Sequence, residues 1–354
     1  MKAVILAGGE GTRLRPLTLS LPKPVVPVVD RPFLRHQLDL LARAGVREVV
    51  FSVAYRPDQV RSVFGEGAAA GISIRYAVED TPLGTGGAVR NALELLDQRT
   101  IVMNGDVLTD VDLCAVVAEH EASGAAATLV LTPVPNPAAY GLVESDAFGR
   151  VRRFLEKPDP SQITTDTINA GIYVLETRVL DLIPPAQNHS IERAFFPALI
   201  SRGDLVRAHV HRGYWIDIGT PEKYRQVHRD ILHQRFPVAL HGQRCPAGWI
   251  HAQAQVSAEA RLRGPVYLGP GVVVEGNAVV GPDAVLVSDV VVAAGASVAE
   301  SVLWAGCLVG ANSRVVGALL GPGVKVGEHA TLRGAVLGEG TVVSSYSFLE
   351  NGTA

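Results

Sequence analysis

From Ile250 onward an aliphatic residue recurs at every sixth position: Ile250, Val256, Leu262, Leu268, Val274, Val280, Leu286, Val292 and Val298. Small residues, mostly Gly, Ala, Pro and Ser, fill many of the positions between. A six-residue period predicts a parallel β-helix, in which each repeat supplies one face of a coil. An ordinary Val-rich β domain does not hold one phase over the 49 residues from 250 to 298. The phase slips near Trp304–Cys307 and resumes at Leu308, Leu320, Val326 and Leu332.

The first 235 residues follow a different pattern. Lys2–Ala7 is a short apolar run ended by glycines, which predicts a buried strand. From Pro32 to Ala44 apolar residues fall at 33, 34, 38 and 41, followed by Gly45, which predicts a helix with proline at its start and glycine past its end. Strands are expected at Arg47–Val53, Ile72–Val78, Thr100–Met103 and Thr128–Val134, with helices at about 86–97 and 111–122. Such alternation implies a mainly parallel sheet covered by helices, which binds ligands beyond the carboxyl ends of its strands. The stretch 236–249, with Pro237, Gly242, Pro246 and Gly248, reads as a linker between domains at 1–235 and 250–354.

The chain has 354 residues, 47% of them apolar and 19% charged, with a formal net charge of −3. That is a globular composition, with nothing to mark a nucleic-acid or membrane-surface binder. Cys114, Cys245 and Cys307 are odd in number and widely spaced, which argues against a disulfide framework or a zinc site. The apolar run at the N-terminus is too short for a signal-peptide core, and no stretch approaches 18 apolar residues, so a cytoplasmic protein is expected. Arginine outnumbers lysine 27 to five, which draws attention to Lys2, Lys23, Lys157, Lys223 and Lys325.

The first chemical signal is Gly8-Gly9-Glu10-Gly11-Thr12-Arg13-Leu14, directly after the first strand. Glycines let backbone N–H groups approach phosphate oxygens, and Arg13 adds a fixed charge suited to a triphosphate. Leu14 stands where the dinucleotide fingerprint needs glycine, and no Gly-Lys-Ser/Thr follows, so neither common nucleotide motif is present.

Extended to Gly8–Pro24, the text GGEGTRLRPLTLSLPKP resembles the signature of the sugar-phosphate nucleotidyltransferase (NDP-sugar pyrophosphorylase) family. Further pieces follow in that family's order: Leu83-Gly84-Thr85-Gly86-Gly87, Asn104-Gly105-Asp106, Tyr140-Gly141-Leu142, Phe154-Leu155-Glu156-Lys157-Pro158, Asn169-Ala170-Gly171 and Trp215-Ile216-Asp217-Ile218-Gly219-Thr220-Pro221. The fold class this implies is a Rossmann-like α/β domain with a mixed, mainly parallel sheet, followed by a left-handed parallel β-helix.

The resemblance implies a reaction in which a sugar 1-phosphate attacks the α-phosphorus of a nucleoside triphosphate and pyrophosphate leaves. It implies that Leu6, Ala7, Gly8, Gly9, Gly11, Thr12, Arg13, Lys23, Glu79, Gly84, Thr85 and Asp106 bind the nucleotide. Gly141, Glu156, Lys157 and Asn169 would bind the sugar phosphate, and Asp106 and Asp217 would hold Mg²⁺. Arg13, Lys23, Asp106, Lys157 and Asp217 carry the catalytic roles. Several stretches look most like mannose-1-phosphate guanylyltransferases, among them Pro82–Thr85, Ile168–Gly171 and Ser190-Ile191-Glu192-Arg193. Glu79 could pair with guanine N1–H and N2–H, or be a surface charge. Glucose-1-phosphate thymidylyl, uridylyl or adenylyl transfer is the alternative within the family.

Two readings from other classes stay open. A non-catalytic regulatory subunit would have lost active-site residues, whereas all five catalytic positions are filled. An acyltransferase β-helix would need a histidine base, and His251 and His329 sit in no recognised motif. The β-helix is expected to support homo-oligomer assembly.

Overall fold

A computed structural model describes residues 1–67 and 71–354. The chain divides into two compact units, Met1–Gly9 with Leu34–Trp215, and Glu10–Phe33 with Ile216–Ala354.

The first unit is built on a mixed sheet. Its strands are β1 (Lys2–Leu6), β2 (Glu48–Val53), β3 (Ser73–Val78), β4 (Arg99–Asn104), β5 (Ala127–Pro133), β6 (Gly141–Ser145), β7 (Val151–Glu156), β8 (Thr167–Glu176) and β9 (Val206–Val210). The order is β7-β6-β8-β4-β1-β2-β3, with β5 paired to β8 and β9 to β5. β1 lies parallel to β2 and β4, and β2 parallel to β3. β8 runs antiparallel to β4 and β5. β1 is a continuous apolar run because helices cover both faces of a parallel sheet; Ala3, Val4 and Ile5 are 0% exposed.

The helices are α1 (Phe33–Arg43), α2 (Pro57–Phe64), α3 (Gly84–Asn91), α4 (Leu113–Ser123) and α5 (Phe196–Arg202); α1 and α4 fall close to their expected places, whereas α2 and α5 lie where no helix was expected. Asp112 caps α4 by accepting the Ala115 N–H at 3.0 Å. The helix expected over 86–97 is shorter, with α3 giving way to a 3₁₀ turn at Leu93–Leu95. Tyr173, Phe195 and Phe196 join Val4, Val50 and Val102 in the core of this unit.

In the second unit α6 (Pro221–Leu232) precedes a left-handed parallel β-helix of three ladders. One ladder runs through Gly248–Ile250, Val266–Leu268, Ala284–Leu286, Val302–Leu303, Leu319–Leu320 and Val336–Leu337. Successive coils are 18 residues apart at Trp249, Tyr267 and Val285, which is three six-residue repeats. They are 17 apart from Val285 to Val302, Leu319 and Val336.

That missing residue corrects the sequence register. The inward position falls on Leu303 and then Val309, both 0% exposed, whereas Leu308, expected to resume the repeat, is 38% exposed. The first slip lies between Val298 and Leu303, before the Trp304–Cys307 stretch where the sequence pattern breaks, and the same short step recurs from Val315 to Leu320 and from Leu332 to Leu337; Leu320, Val326 and Leu332 are buried as expected. Trp304 is buried, but against α6 rather than in the coil interior: its Nε1 donates to Tyr224 Oη at 3.0 Å.

Candidate active site

Within the first unit, the expected nucleotide residues come off the carboxyl ends of neighbouring parallel strands. Leu6, Ala7 and Gly8 leave β1, and Asn104-Gly105-Asp106 leave β4. The two turns are tied together by the Gly105 N–H, which donates to Leu6 O at 2.9 Å. Ala7 N–H donates across to Ser52 O at the end of β2, at 2.8 Å.

Glu79, just past β3, is 8% exposed, so it is not a surface charge. Its Oε1 accepts from Ser52 Oγ at 2.9 Å and its Oε2 from Leu83 N–H at 3.0 Å. A Cβ on Gly8 would lie 3.3 Å from Oε1, so this carboxylate borders the glycine loop. The Leu83 bond fixes the entry to the turn that carries Gly84 and Thr85. Thr85 Oγ1 donates to Glu192 Oε2 at 2.7 Å and accepts from Ile191 N–H at 2.9 Å.

The expected sugar-phosphate residues gather on the antiparallel side of the same sheet. Gly141 on β6 pairs with Glu156 on β7. A Cβ at 141 would sit 2.7 Å from Glu156 Oε2 and 3.0 Å from the Phe154 ring, so a side chain there would push that carboxylate from its present position. Lys157 follows with φ +51, a strained backbone for a non-glycine residue, and its N–H donates to Tyr140 O at 3.1 Å. Asn169 lies on β8, where its Oδ1 accepts from Gly171 N–H at 3.1 Å. Trp215 Nε1 donates to Ala170 O at 2.9 Å, and its ring meets Tyr140 edge-on at 5.6 Å. Burial pushes the Glu156 carboxyl above the usual range, and the nearby Glu192 carboxylate adds to that; Arg193 and Lys157 oppose it less strongly.

The second unit holds Gly11, Thr12, Arg13, Lys23 and Asp217. Gly11 O accepts from Thr18 Oγ1 at 2.8 Å, and a Cβ at 11 would lie 3.2 Å from the Lys23 Cβ. Lys23 begins a 3₁₀ turn, Lys23–Val25, and is 8% exposed. Gly219 is the meeting point of Arg13 and Asp217. A Cβ there would lie 2.8 Å from Arg13 Nη2 and 2.9 Å from Asp217 Oδ2. Asp217 Oδ1 forms an ion pair with Lys223 Nζ.

Among the described residues no three His, Cys, Asp or Glu side chains cluster to cage a metal. Asp217 already takes a cationic partner. Asp106 and Asp217 are each hard oxygen donors, the kind that suits a divalent ion taking its other ligands from phosphate and water.

Three residues had no role in the sequence reading. Glu192 was visible in Ser190–Arg193, but its partners Thr85 and Tyr173 are distant in sequence. Tyr173 read as strand core. Asn104 Oδ1 is buried without a hydrogen-bond partner beside the Asp106 turn, which no sequence pattern shows.

The profile of the nucleotidyl transferase family matches residues 2–234, and that of the GMPPB C-terminal domain matches residues 262–354. A mannose-1-phosphate guanylyltransferase of Mycobacterium tuberculosis is 43% identical over 272 residues, 76% of this chain and 75% of the relative. A mannose-1-phosphate guanyltransferase of Candida albicans is 41% identical over 230 residues, 63% of this chain and 62% of the relative. The crystal structure of HddC from Yersinia pseudotuberculosis complexed with GMP-PN superposes with a TM-score of 0.57 at 29% identity, covering 65% of this chain and 99% of that one. This chain therefore belongs to the nucleotidyl transferase family, and is an enzyme of sugar-phosphate nucleotidyl transfer. Enzymes of this family generally use a divalent metal ion. No helix among the described residues is long and apolar enough to cross a membrane.

Proposed function

We infer that this enzyme transfers guanylyl from GTP to mannose 1-phosphate, giving GDP-mannose and pyrophosphate. The observation that carries the base assignment is Glu79. Its carboxylate is buried beside Gly8, and each oxygen accepts one protein hydrogen bond, leaving a lone pair on each. Guanine offers N1–H and N2–H together, which matches two acceptors; thymine and uracil offer a single ring N–H at that edge. The guanylyltransferase relatives support the same reading.

The mechanism needs no protein nucleophile. An oxygen of the sugar phosphate bonds to the α-phosphorus, the bond from that phosphorus to the β-phosphate oxygen breaks, and pyrophosphate departs with the electron pair. The enzyme's work is to position two anions and offset their repulsion. Arg13 and the Gly8–Gly11 backbone hold the triphosphate, and Lys23 neutralises charge near the reacting phosphate. Lys157 holds the phosphate of the sugar, while Glu156, Asn169 and the Gly141 backbone meet its hydroxyls. Asp106 and Asp217 are the residues that would hold Mg²⁺, which when bound supplies charge neutralisation at the phosphate oxygens. Every residue given a role falls within 1–235, and the coils of 250–354 are assigned no catalytic part.

The test is pyrophosphate release with Mg²⁺ from each of GTP, dTTP, UTP, ATP and CTP against mannose 1-phosphate and glucose 1-phosphate. A kcat/KM preference for GTP with mannose 1-phosphate supports the assignment. Preference for another pair keeps the reaction class and rejects the base or sugar. No release with any pair from folded enzyme favours the regulatory subunit.

A further inference from the structure

The nucleotide turn and the sugar-binding strand are joined inside the first unit by a polar relay whose middle members, Glu192 and Tyr173, have no part in the reaction as described. The inference drawn from it rests on the assignments of Thr85 and Asn169 above. Glu192 lies on the π-turn Ile191–Phe195 that feeds α5. Its Oε2 accepts from Thr85 Oγ1 at 2.7 Å and from Ser190 Oγ at 2.9 Å. Its Oε1 accepts from Tyr173 Oη at 3.5 Å, the longest link of the set. Tyr173 is 0% exposed, and its Oη in turn accepts from Asn169 Nδ2 at 2.7 Å.

Proton counting gives this chain a direction. An ionised carboxylate only accepts, so the hydroxyls of Thr85, Ser190 and Tyr173 must all donate to Glu192. A phenol has one proton, so Tyr173 can meet Asn169 only as an acceptor. The Gly171 N–H, which can only donate, requires the same orientation, so the Asn169 amide is held from both sides with Nδ2 toward Tyr173 and Oδ1 toward Gly171. One N–H and one oxygen lone pair of Asn169 are then left for a ligand, in fixed positions. Burial, reinforced by the Glu192 carboxylate, raises the Tyr173 phenol well above its ordinary range, so its proton stays in place.

We propose that Glu192 is a positioning residue of the reaction: by taking the Tyr173 proton it keeps an acceptor facing Asn169 Nδ2 and so holds the amide that Asn169 presents to the sugar, and through Thr85 it anchors the nucleotide turn. The same carboxylate stands close enough to Glu156 to raise that residue's proton affinity, so its charge is also felt at the second hydroxyl-binding group.

Glu192→Gln keeps the shape but adds two N–H donors and removes the charge. Tyr173 can then accept from the introduced side-chain amide and turn its own proton toward Asn169, which sets two donors against each other because the Gly171 N–H still holds Asn169 Oδ1. Tyr173→Phe removes the phenol and leaves Asn169 Nδ2 without its partner, with little change in core volume. In both variants KM for mannose 1-phosphate at saturating GTP should rise about tenfold, the effect of one misdirected or unpaired hydrogen bond at a binding site. Discrimination between mannose 1-phosphate and glucose 1-phosphate should shrink. Calorimetric affinity for GTP alone should change less than about threefold in Tyr173→Phe, which leaves Thr85 anchored and disturbs no hydrogen bond of the nucleotide turn. In Glu192→Gln the acid limb of kcat/KM should move to lower pH, because Glu156 loses a like-charged neighbour.

If both variants fold and keep wild-type KM and sugar discrimination within about twofold, less than the loss of one hydrogen bond costs, the proposal is overturned. Equal losses for GTP and sugar phosphate with an unmoved acid limb also overturn it, since that is a structural role alone. Wild-type enzyme that turns over no sugar 1-phosphate rejects the functional reading beneath the proposal; active wild type with unaffected variants rejects the relay alone.

Discussion

A methyl group at position 219 would sit 2.8 Å from the Arg13 guanidinium and 2.9 Å from the Asp217 carboxylate, so both must move to admit it. Misplacing charged groups by about 1 Å costs on the order of 10²-fold in catalysis. Gly219→Ala is therefore expected to lower kcat/KM by about that factor while melting within a few degrees of wild type; steady-state kinetics beside a thermal melt checks both. Glu156 gives a prediction with a sign. Its folded pKa is raised, so its contribution to stability is present below the unfolded value near about 4.3 and is lost as pH rises through the higher folded value. At neutral pH the ionised group strains the fold. Glu156→Gln should then melt higher than wild type at about pH 7 to 8, above both values, and bind mannose 1-phosphate more weakly; a parallel pH series of melts and KM values tests the pair. Of these residues, Asp217 and Glu156 were legible because the motifs that carry them run continuously in the chain. The partners of the Glu79 carboxylate were not, because Ser52 and Leu83 reach it only through the pairing of β2 with β3 and the turn beyond.

At the scale of elements, the six-residue period was readable because each coil repeats its inward residue locally. The loss of one residue at the step from Val298 to Leu303 was not, since Leu308 and Val309 are both aliphatic and only burial separates them. That register makes a test: Val309→Ala should cost about 2 kcal/mol from lost burial and a cavity, whereas Leu308→Ala should stay within about 0.5 kcal/mol of wild type in chemical denaturation. Equal costs would mean the coil is misregistered. The segment Glu10–Phe33 is tied to residues 239–241 by Asp30, whose side chain is 1% exposed. Its burial would raise the carboxyl, but bonds from Arg31 at 2.7 Å and from the His241 N–H at 2.7 Å outweigh that and lower it. A lowered folded pKa means this stability is present above the unfolded value near about 3.9 and is lost as pH falls through the folded one. Asp30→Asn should therefore destabilise the protein near neutral pH by about 2 kcal/mol and flatten the acid limb of its stability curve, as melts from about pH 7 down to 3 would record.

Across the whole molecule, seven motifs in family order made the reaction class readable from the sequence, and the alternation of strand and helix made the sheet readable. The grouping of Glu10–Phe33 with Ile216–Ala354 has no local pattern behind it. It rests on contacts such as Tyr224 Oη to Pro27 O, made between residues far apart in the chain. The central claim is that the bond broken in the nucleotide lies between its α- and β-phosphates, with the nucleotidyl group passing to the sugar phosphate. Its most direct test follows the label from GTP carrying ³²P at either the α or the γ position, in the presence of mannose 1-phosphate and Mg²⁺. The account predicts that α-label appears in the nucleotide sugar and γ-label in pyrophosphate, in equal amounts. Alpha-label recovered as free GMP, or γ-label recovered as phosphorylated sugar, would contradict it.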